Sequence, residues 1–147
     1  MDKVPVYYRG GSIIPRKDRP RRASTLTHDD PFTLYVALDD NKSAKGTFYI
    51  DDNESYDYKN NLYIYIKFTY KDGVLSSSLI DDARFSTSAW IERVVIINAP
   101  SGIKHATLKS KKLGTTKLQT TYDGENRSLT IRKPGVSVMD PFTITLQ

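Results

Sequence analysis

The chain has 147 residues, 38% hydrophobic and 27% charged, a balance that suits one folded domain, or one domain with part of another, and excludes an intrinsically disordered segment. The absence of cysteine excludes a disulfide framework, a thiolate zinc site and a thiol nucleophile. The formal net charge of +5 is concentrated near the start, where residues 1–28 hold seven Lys or Arg against two Asp and the remaining residues balance.

In chain order, Val4, Val6 and Tyr8 alternate as in a strand, Gly10-Gly11 supplies the backbone freedom of a turn, and Ser12 to Ile14 begins a β-branched run that Pro15 ends. The chain thus reads as though it is entered in the middle of a hairpin. Period-two runs follow at Phe32–Leu38, Thr47–Asp51, Leu62–Tyr70 and Val74–Leu79, then at Ile91–Ile97, Ala106–Lys109, Lys117–Tyr122, Ser128–Arg132 and Phe142–Leu146. In Leu62–Tyr70, Leu62, Ile64, Ile66, Phe68 and Tyr70 fall on one face and Tyr63, Tyr65, Lys67 and Thr69 on the other. Asp72-Gly73 and Asp123-Gly124 are hairpin signals, and Trp90 is expected in the core or packed on a sheet. Roughly ten short strands without a helical stripe predict an all-β chain built as an antiparallel β-sandwich. No apolar run approaches the roughly 20 residues of a membrane-crossing helix. Residues 1–20 lack the apolar core of a signal peptide, so any secretory targeting is expected upstream.

Three motifs resemble the C-terminal part of glycoside hydrolase family 31 α-glucosidases, in order as well as in kind. They are Val4–Arg16, then Asp30-Pro31-Phe32-Thr33-Leu34-Tyr35-Val36-Ala37-Leu38, then Gly46-Thr47-Phe48-Tyr49-Ile50-Asp51-Asp52. Trp90–Ile96 and Leu129–Gly135 are similar to the glucosidase II α-subunit branch of that family. The resemblance implies two β-sandwiches following a catalytic barrel, with residues 1–40 as the last strands of the proximal one and residues 41–147 as the distal one. It implies a parent that trims α-1,3-linked glucose from N-glycans with retention in the endoplasmic reticulum lumen. It also implies contact with the upstream barrel of the same polypeptide, docking of a β subunit, and no cofactor. The strands Val4–Tyr8 and Phe32–Leu38 would then have exposed edges, and are expected to fray, pair with each other, or be covered by another copy.

Nothing catalytic carries over, because the nucleophile and acid/base of that family belong to a (β/α)₈ barrel of about 250 residues. A retaining pair needs two carboxyl groups about 5 Å apart. The doublets Asp29-Asp30, Asp39-Asp40, Asp51-Asp52 and Asp81-Asp82 place neighbours on opposite faces of a strand and sit where Asp forms turns. Asp51, Asn53, Ser55 and Asp57 have the alternate spacing of a calcium loop, but Tyr56 stands where that loop needs Gly and Leu62 where it needs Glu. Asn53 also departs from the family's usual Gly; because Asn tolerates left-handed φ, the turn is expected to survive. His28 and His105 are isolated and read as turn or surface residues, and Arg21-Arg22-Ala23-Ser24 reads as a basic-directed kinase motif of low specificity.

The remaining candidates are surfaces. Tyr7, Tyr8, Tyr56, Tyr58, Tyr63 and Tyr65 cluster in the first half, and Tyr63 and Tyr65 share a face able to meet a sugar ring or a protein. The run Arg16-Lys17-Asp18-Arg19-Pro20-Arg21-Arg22 offers Arg19, Arg21 and Arg22 as interaction residues; it lacks the interleaved aromatics of a nucleic-acid platform. Sequons at Asn41, Asn53 and Asn126 lie beside turn residues. A carbohydrate-binding module or a protein-interaction domain is the alternative to a part that braces the barrel.

Overall fold

A computed structural model describes residues 4–81 and 84–147, with Thr25 in backbone only. Among them, ten strands form one closed mixed barrel: β1 (Ser12–Arg16), β2 (Phe32–Ala37), β3 (Ala44–Ile50), β4 (Ile64–Lys71), β5 (Val74–Leu79), β6 (Trp90–Ile97), β7 (His105–Ser110), β8 (Gly114–Asp123), β9 (Ser128–Ser137) and β10 (Phe142–Leu146). Around the barrel the order is β1-β2-β6-β9-β8-β7-β10-β5-β4-β3.

This corrects the antiparallel β-sandwich. Two neighbouring pairs are parallel, β2 with β6 and β1 with β3, and the sheet closes on itself rather than forming two stacked layers. Inward-outward alternation is common to a sandwich and a barrel, so the sequence pattern could not separate them. Closure rests on a narrow seam. Ser12 of β1 pairs with Lys45 of β3, and the Lys45 N–H donates to the Gly11 carbonyl at 3.0 Å. Next to it, a Cβ on Gly46 would lie 2.1 Å from the Ile13 carbonyl oxygen, so the backbones meet there only because position 46 has no side chain.

β1 and β2, both from the first forty residues, lie in the same sheet as the later strands. β2 is paired on both sides, antiparallel to β1 and parallel to β6, and five of its six residues are buried. That leaves it no exposed edge, contrary to expectation. Val4–Tyr8 forms no strand; Val4 and Val6 are each 81% exposed.

β4 keeps its expected alternation, with Ile64, Ile66, Phe68 and Tyr70 buried. Four of the five phenylalanines form a row across the interior. Phe32 meets Phe48 edge-on at 4.6 Å, Phe48 lies 6.5 Å from Phe68, and Phe68 lies 6.4 Å from Phe142. Leu34, Val36, Leu108, Ile131 and Ile144 complete a continuous core. The Asp72-Gly73 hairpin forms as expected, with φ of 51° and 77°, the geometry of a two-residue type I′ loop. The chain passes from Asp123 to Ser128 by a longer turn in which Arg127, not Gly124, takes positive φ. Trp90 is half-buried at the start of β6, outside the buried core.

Candidate functional site

The outer face of β3 and β4 carries the aromatic cluster. Cross-strand pairing places Tyr49 opposite Tyr65, which meets it edge-on at 6.4 Å. Tyr63, just before β4, stacks on Tyr49 at 5.4 Å and 23°. Tyr63 and Tyr65 are half-buried, whereas Tyr49 is 46% exposed and forms the outer member. The Tyr63 hydroxyl donates to Asp81 Oδ2 at 2.7 Å, and this bond to a carboxylate raises the phenol pKa. The other oxygen, Asp81 Oδ1, is buried without a partner among the described residues. Asp82, the second member of that doublet, lies outside the described residues.

Tyr49 is the residue sequence reasoning missed. It is 14 to 16 positions from Tyr63 and Tyr65, and only the β3–β4 register brings them together. Tyr56 and Tyr58 form a separate pair at 6.2 Å on the connecting loop, with Lys59 Nζ 4.9 Å from the Tyr56 ring. Tyr8 belongs elsewhere: it stacks on Tyr35 at 5.1 Å and 10°, accepts a hydrogen bond from Arg16, and Tyr35 in turn donates to Asp18 at 3.0 Å.

The basic run is held by acids distant in sequence. Arg21 clamps Asp30 through Nε at 2.9 Å and Nη2 at 2.5 Å. Arg19 bridges to Glu92 at 3.0 Å and reaches Asp30 at 4.0 Å. Lys17 donates to the carbonyls of Thr27 and His28 at 2.6 and 3.2 Å and lies 4.8 Å from the centre of the Phe32 ring. Arg22 is exposed, and the three sequon asparagines are exposed too. Asn126 Nδ2 donates to Asp123 at 2.7 Å, and Asn53 adopts φ 59°, so the turn survives the departure from Gly.

Asp30 is 3% exposed, and the Arg21 hydrogen bonds hold its carboxyl below the ordinary carboxylate range. The contribution of a depressed carboxylate to stability is present above its unfolded-state value near ~4 and is lost as pH falls through the lower folded value. Thermal melting between pH 7 and pH 2 is therefore expected to show an acid-limb loss that shrinks in Asp30→Asn; an identical acid limb in the variant would remove Asp30 from the account.

The basic and acidic loops approach one another. Lys17, Ser24, Thr27 and His28 line a cleft of about 250 Å³ with Asp52, Asn53 and Glu54 opposite. Of the carboxylates there, Asp52 is engaged in turn formation, accepting the N–H groups of Glu54 and Ser55 at 3.2 and 3.1 Å, and the adjacent Asp51 accepts the Asn53 N–H at 2.9 Å. Among the described residues no three His, Cys, Asp or Glu gather into a metal-binding group. The site can stack and hydrogen-bond; among the described residues it brings together no nucleophile and acid.

No family model matches the chain. It is 42% identical over 149 residues to the neutral alpha-glucosidase AB of Dictyostelium discoideum and 36% identical over 151 residues to that of Homo sapiens, alignments covering 99% and 100% of this chain. It is 37% identical over 156 residues to a probable glucan 1,3-alpha-glucosidase of Oryza sativa subsp. japonica. The chain spans about one sixth of the length of these curated relatives, 16% to 17%. Among solved structures, the ER glucosidase II heterodimeric complex of catalytic subunit and regulatory-subunit binding domain superimposes with a TM-score of 0.88 at 30% identity, over 99% of this chain and 17% of that one. A Flavobacterium johnsoniae GH31 dextranase, at 18% identity and a TM-score of 0.64, shares the fold alone. The chain is thus a homologue of neutral alpha-glucosidase AB and of glucosidase II α subunits, corresponding to about one sixth of their length.

Proposed function

We propose that this chain is the non-catalytic C-terminal region of a glucosidase II-like α-glucosidase, bracing the catalytic barrel and presenting surface to a regulatory β subunit. The observation that carries the reading is the match to a glucosidase II catalytic subunit over 99% of this chain at a TM-score of 0.88. The parent would remove α-1,3-linked glucose from N-glycans in the endoplasmic reticulum lumen with retention. Support for the linkage and compartment comes from relatives named glucan 1,3-alpha-glucosidase and ER glucosidase II. Deleting residues 12–147, the whole ten-strand barrel, from the full-length parent is expected to lower its melting temperature and its turnover of an α-1,3-glucoside. Unchanged stability and unchanged kcat/KM would sink the bracing role. In the same compartment Asn41, Asn53 and Asn126 would meet the glycosylation machinery, and enzymatic deglycosylation is expected to reduce the parent's mass.

A second reading makes the aromatic face a sugar-binding surface. The exposure of Tyr49 above the stacked Tyr63 favours it, since a ring at the edge of an aromatic cluster can take a pyranose face. Titration of a glucosylated oligosaccharide into wild type and Tyr49→Ala separates the readings: saturable binding lost in the variant supports the sugar surface, and no saturable binding leaves the brace alone.

A further inference from the structure

Besides the basic run near the start of the chain, a second concentration of positive charge lies on the β7–β8 hairpin. Between residues 104 and 121 the chain carries Lys104, Lys109, Lys111, Lys112 and Lys117 and no acidic residue. All five are exposed, and among the described residues none of their ammonium groups has a salt bridge or a side-chain hydrogen bond. The arginines of the run at residues 16–21, by contrast, are paired with Asp18, Asp30 and Glu92.

Strand register sets two of these lysines, Lys109 and Lys117, on the outer face. Ala106, Leu108 and Leu118 point into the core, so Thr107 with its partner Lys117, and Lys109 with its partner Thr115, point outward. Lys111 and Lys112 sit in the turn at the hairpin tip, and Lys104, just before β7, stands at the other end beside a groove of about 520 Å³ that reaches Lys117. The neighbouring strands β10, β5 and β4 contain no Asp or Glu, so the face continues as hydroxyls and ammonium groups. Acids border the face at three places: Asp72 is exposed in the β4–β5 turn, where the adjacent Gly73 carbonyl accepts the Leu146 N–H at 2.9 Å, and Asp140 and Asp123 lie toward the other strands. Asp140 is 3% exposed and accepts the Lys112 N–H at 3.1 Å, and Asp123, at the far end of β8, accepts from Asn126.

We propose that the β7–β8 face is a docking surface for an extended acidic polypeptide segment. Charge complementarity selects the sign of the occupant, and the remaining chemistry selects its class. The hairpin holds no Arg for bidentate phosphate recognition, and of its two rings Tyr122 packs against the core and His105 is half-buried beside the groove, so it offers no row of exposed rings for base stacking. It exposes one large apolar side chain, Leu113, too little to enter a lipid interface. Lysine point charges beside Thr107, Thr115 and Gln119 suit carboxylates spaced along a strand-like peptide. At roughly 3.4 Å per residue, the row from Lys104 to the tip matches about seven extended residues.

The test is fluorescence anisotropy with a labelled deca-glutamate peptide and the full chain. Saturable binding is expected, weakening on the order of tenfold between low and physiological salt. Lys109→Glu with Lys117→Glu should weaken it by about tenfold or more, while Arg22→Glu with Lys42→Glu, which changes net charge equally, should leave it within about twofold. Equal weakening by both pairs would mean net charge alone attracts the peptide, and would overturn the proposal. Tighter binding of labelled deca-thymidylate or of anionic phospholipid vesicles than of deca-glutamate would overturn it in favour of those partners. Circular dichroism melts of both pairs confirm that a loss of binding reports the surface.

Discussion

Gly46→Ala is expected to be among the most damaging single substitutions in this fold, because the methyl group would occupy space already filled by backbone. The new Cβ would stand 2.1 Å from the Ile13 carbonyl oxygen and 3.0 Å from the Ile13 carbonyl carbon and Cβ. A flexible side chain could rotate away from such a contact; a backbone carbonyl in a paired strand cannot. Relief requires β1 to move away from β3, and that movement breaks the Lys45 N–H to Gly11 bond and the Ser12 to Lys45 pairing at the seam. Overpacking that forces backbone displacement costs about 3 kcal/mol, at the upper end of its usual range. Urea unfolding should show the midpoint falling accordingly, with faster hydrogen exchange at the Lys45 amide. Gly124→Ala is the control: its Cβ would meet nothing nearer than Tyr122 Cε1 at 4.0 Å, and its φ is not positive, so the midpoint should hold. An unchanged midpoint in Gly46→Ala would mean that the seam is not a tight contact.

That seam also explains where sequence reasoning stops. The strands at β4, β5, β6 and β10 were legible because each buries alternate residues against a core, which writes a period of two into the chain. β1 was half legible. Pro15 read as its end, yet the strand runs through Pro15 to Arg16. Beyond Ser12 nothing pairs β1 on the β3 side, so a residue without an amide donor is tolerated there. Closure was illegible because it depends on one parallel bridge between strands separated in sequence and on a glycine that, read locally, weakens a strand.

The surfaces follow the same logic. Arg19 and Arg21 looked free because Glu92 and Asp30 lie outside their run, and only the fold brings them together. The lysines of β7 and β8 attracted no notice because they are spread over fourteen positions, from Lys104 to Lys117, and become a row only when two strands pair. Tyr49 joins Tyr63 and Tyr65 by the same route. The family resemblance was legible across these gaps because it rests on the order of motifs, and it held over the whole chain while the sandwich it implied did not.

Phe68→Ala is expected to cost about 3–5 kcal/mol, the range for removing a fully buried phenylalanine. Phe68 is 1% exposed and stands in the middle of the row that crosses the barrel, between Phe48 on β3 and Phe142 on β10. Each neighbour belongs to a strand on a different side of β4, so neither can fill the vacated volume without leaving its own register. The barrel resists collapse for a second reason: a closed sheet cannot slide one layer toward another as two stacked sheets can, because its strand pairings fix the circumference. The cavity should therefore persist, and the loss should lie near the top of that range. Phe68→Leu, which keeps most of the volume, should lose much less. Urea midpoints for the two variants would distinguish a closed, unyielding core from one that repacks. If Phe68→Ala and Phe68→Leu differed by less than about 1 kcal/mol, the core would be shown to relax around the missing ring, and the rigidity assigned here to barrel closure would be wrong.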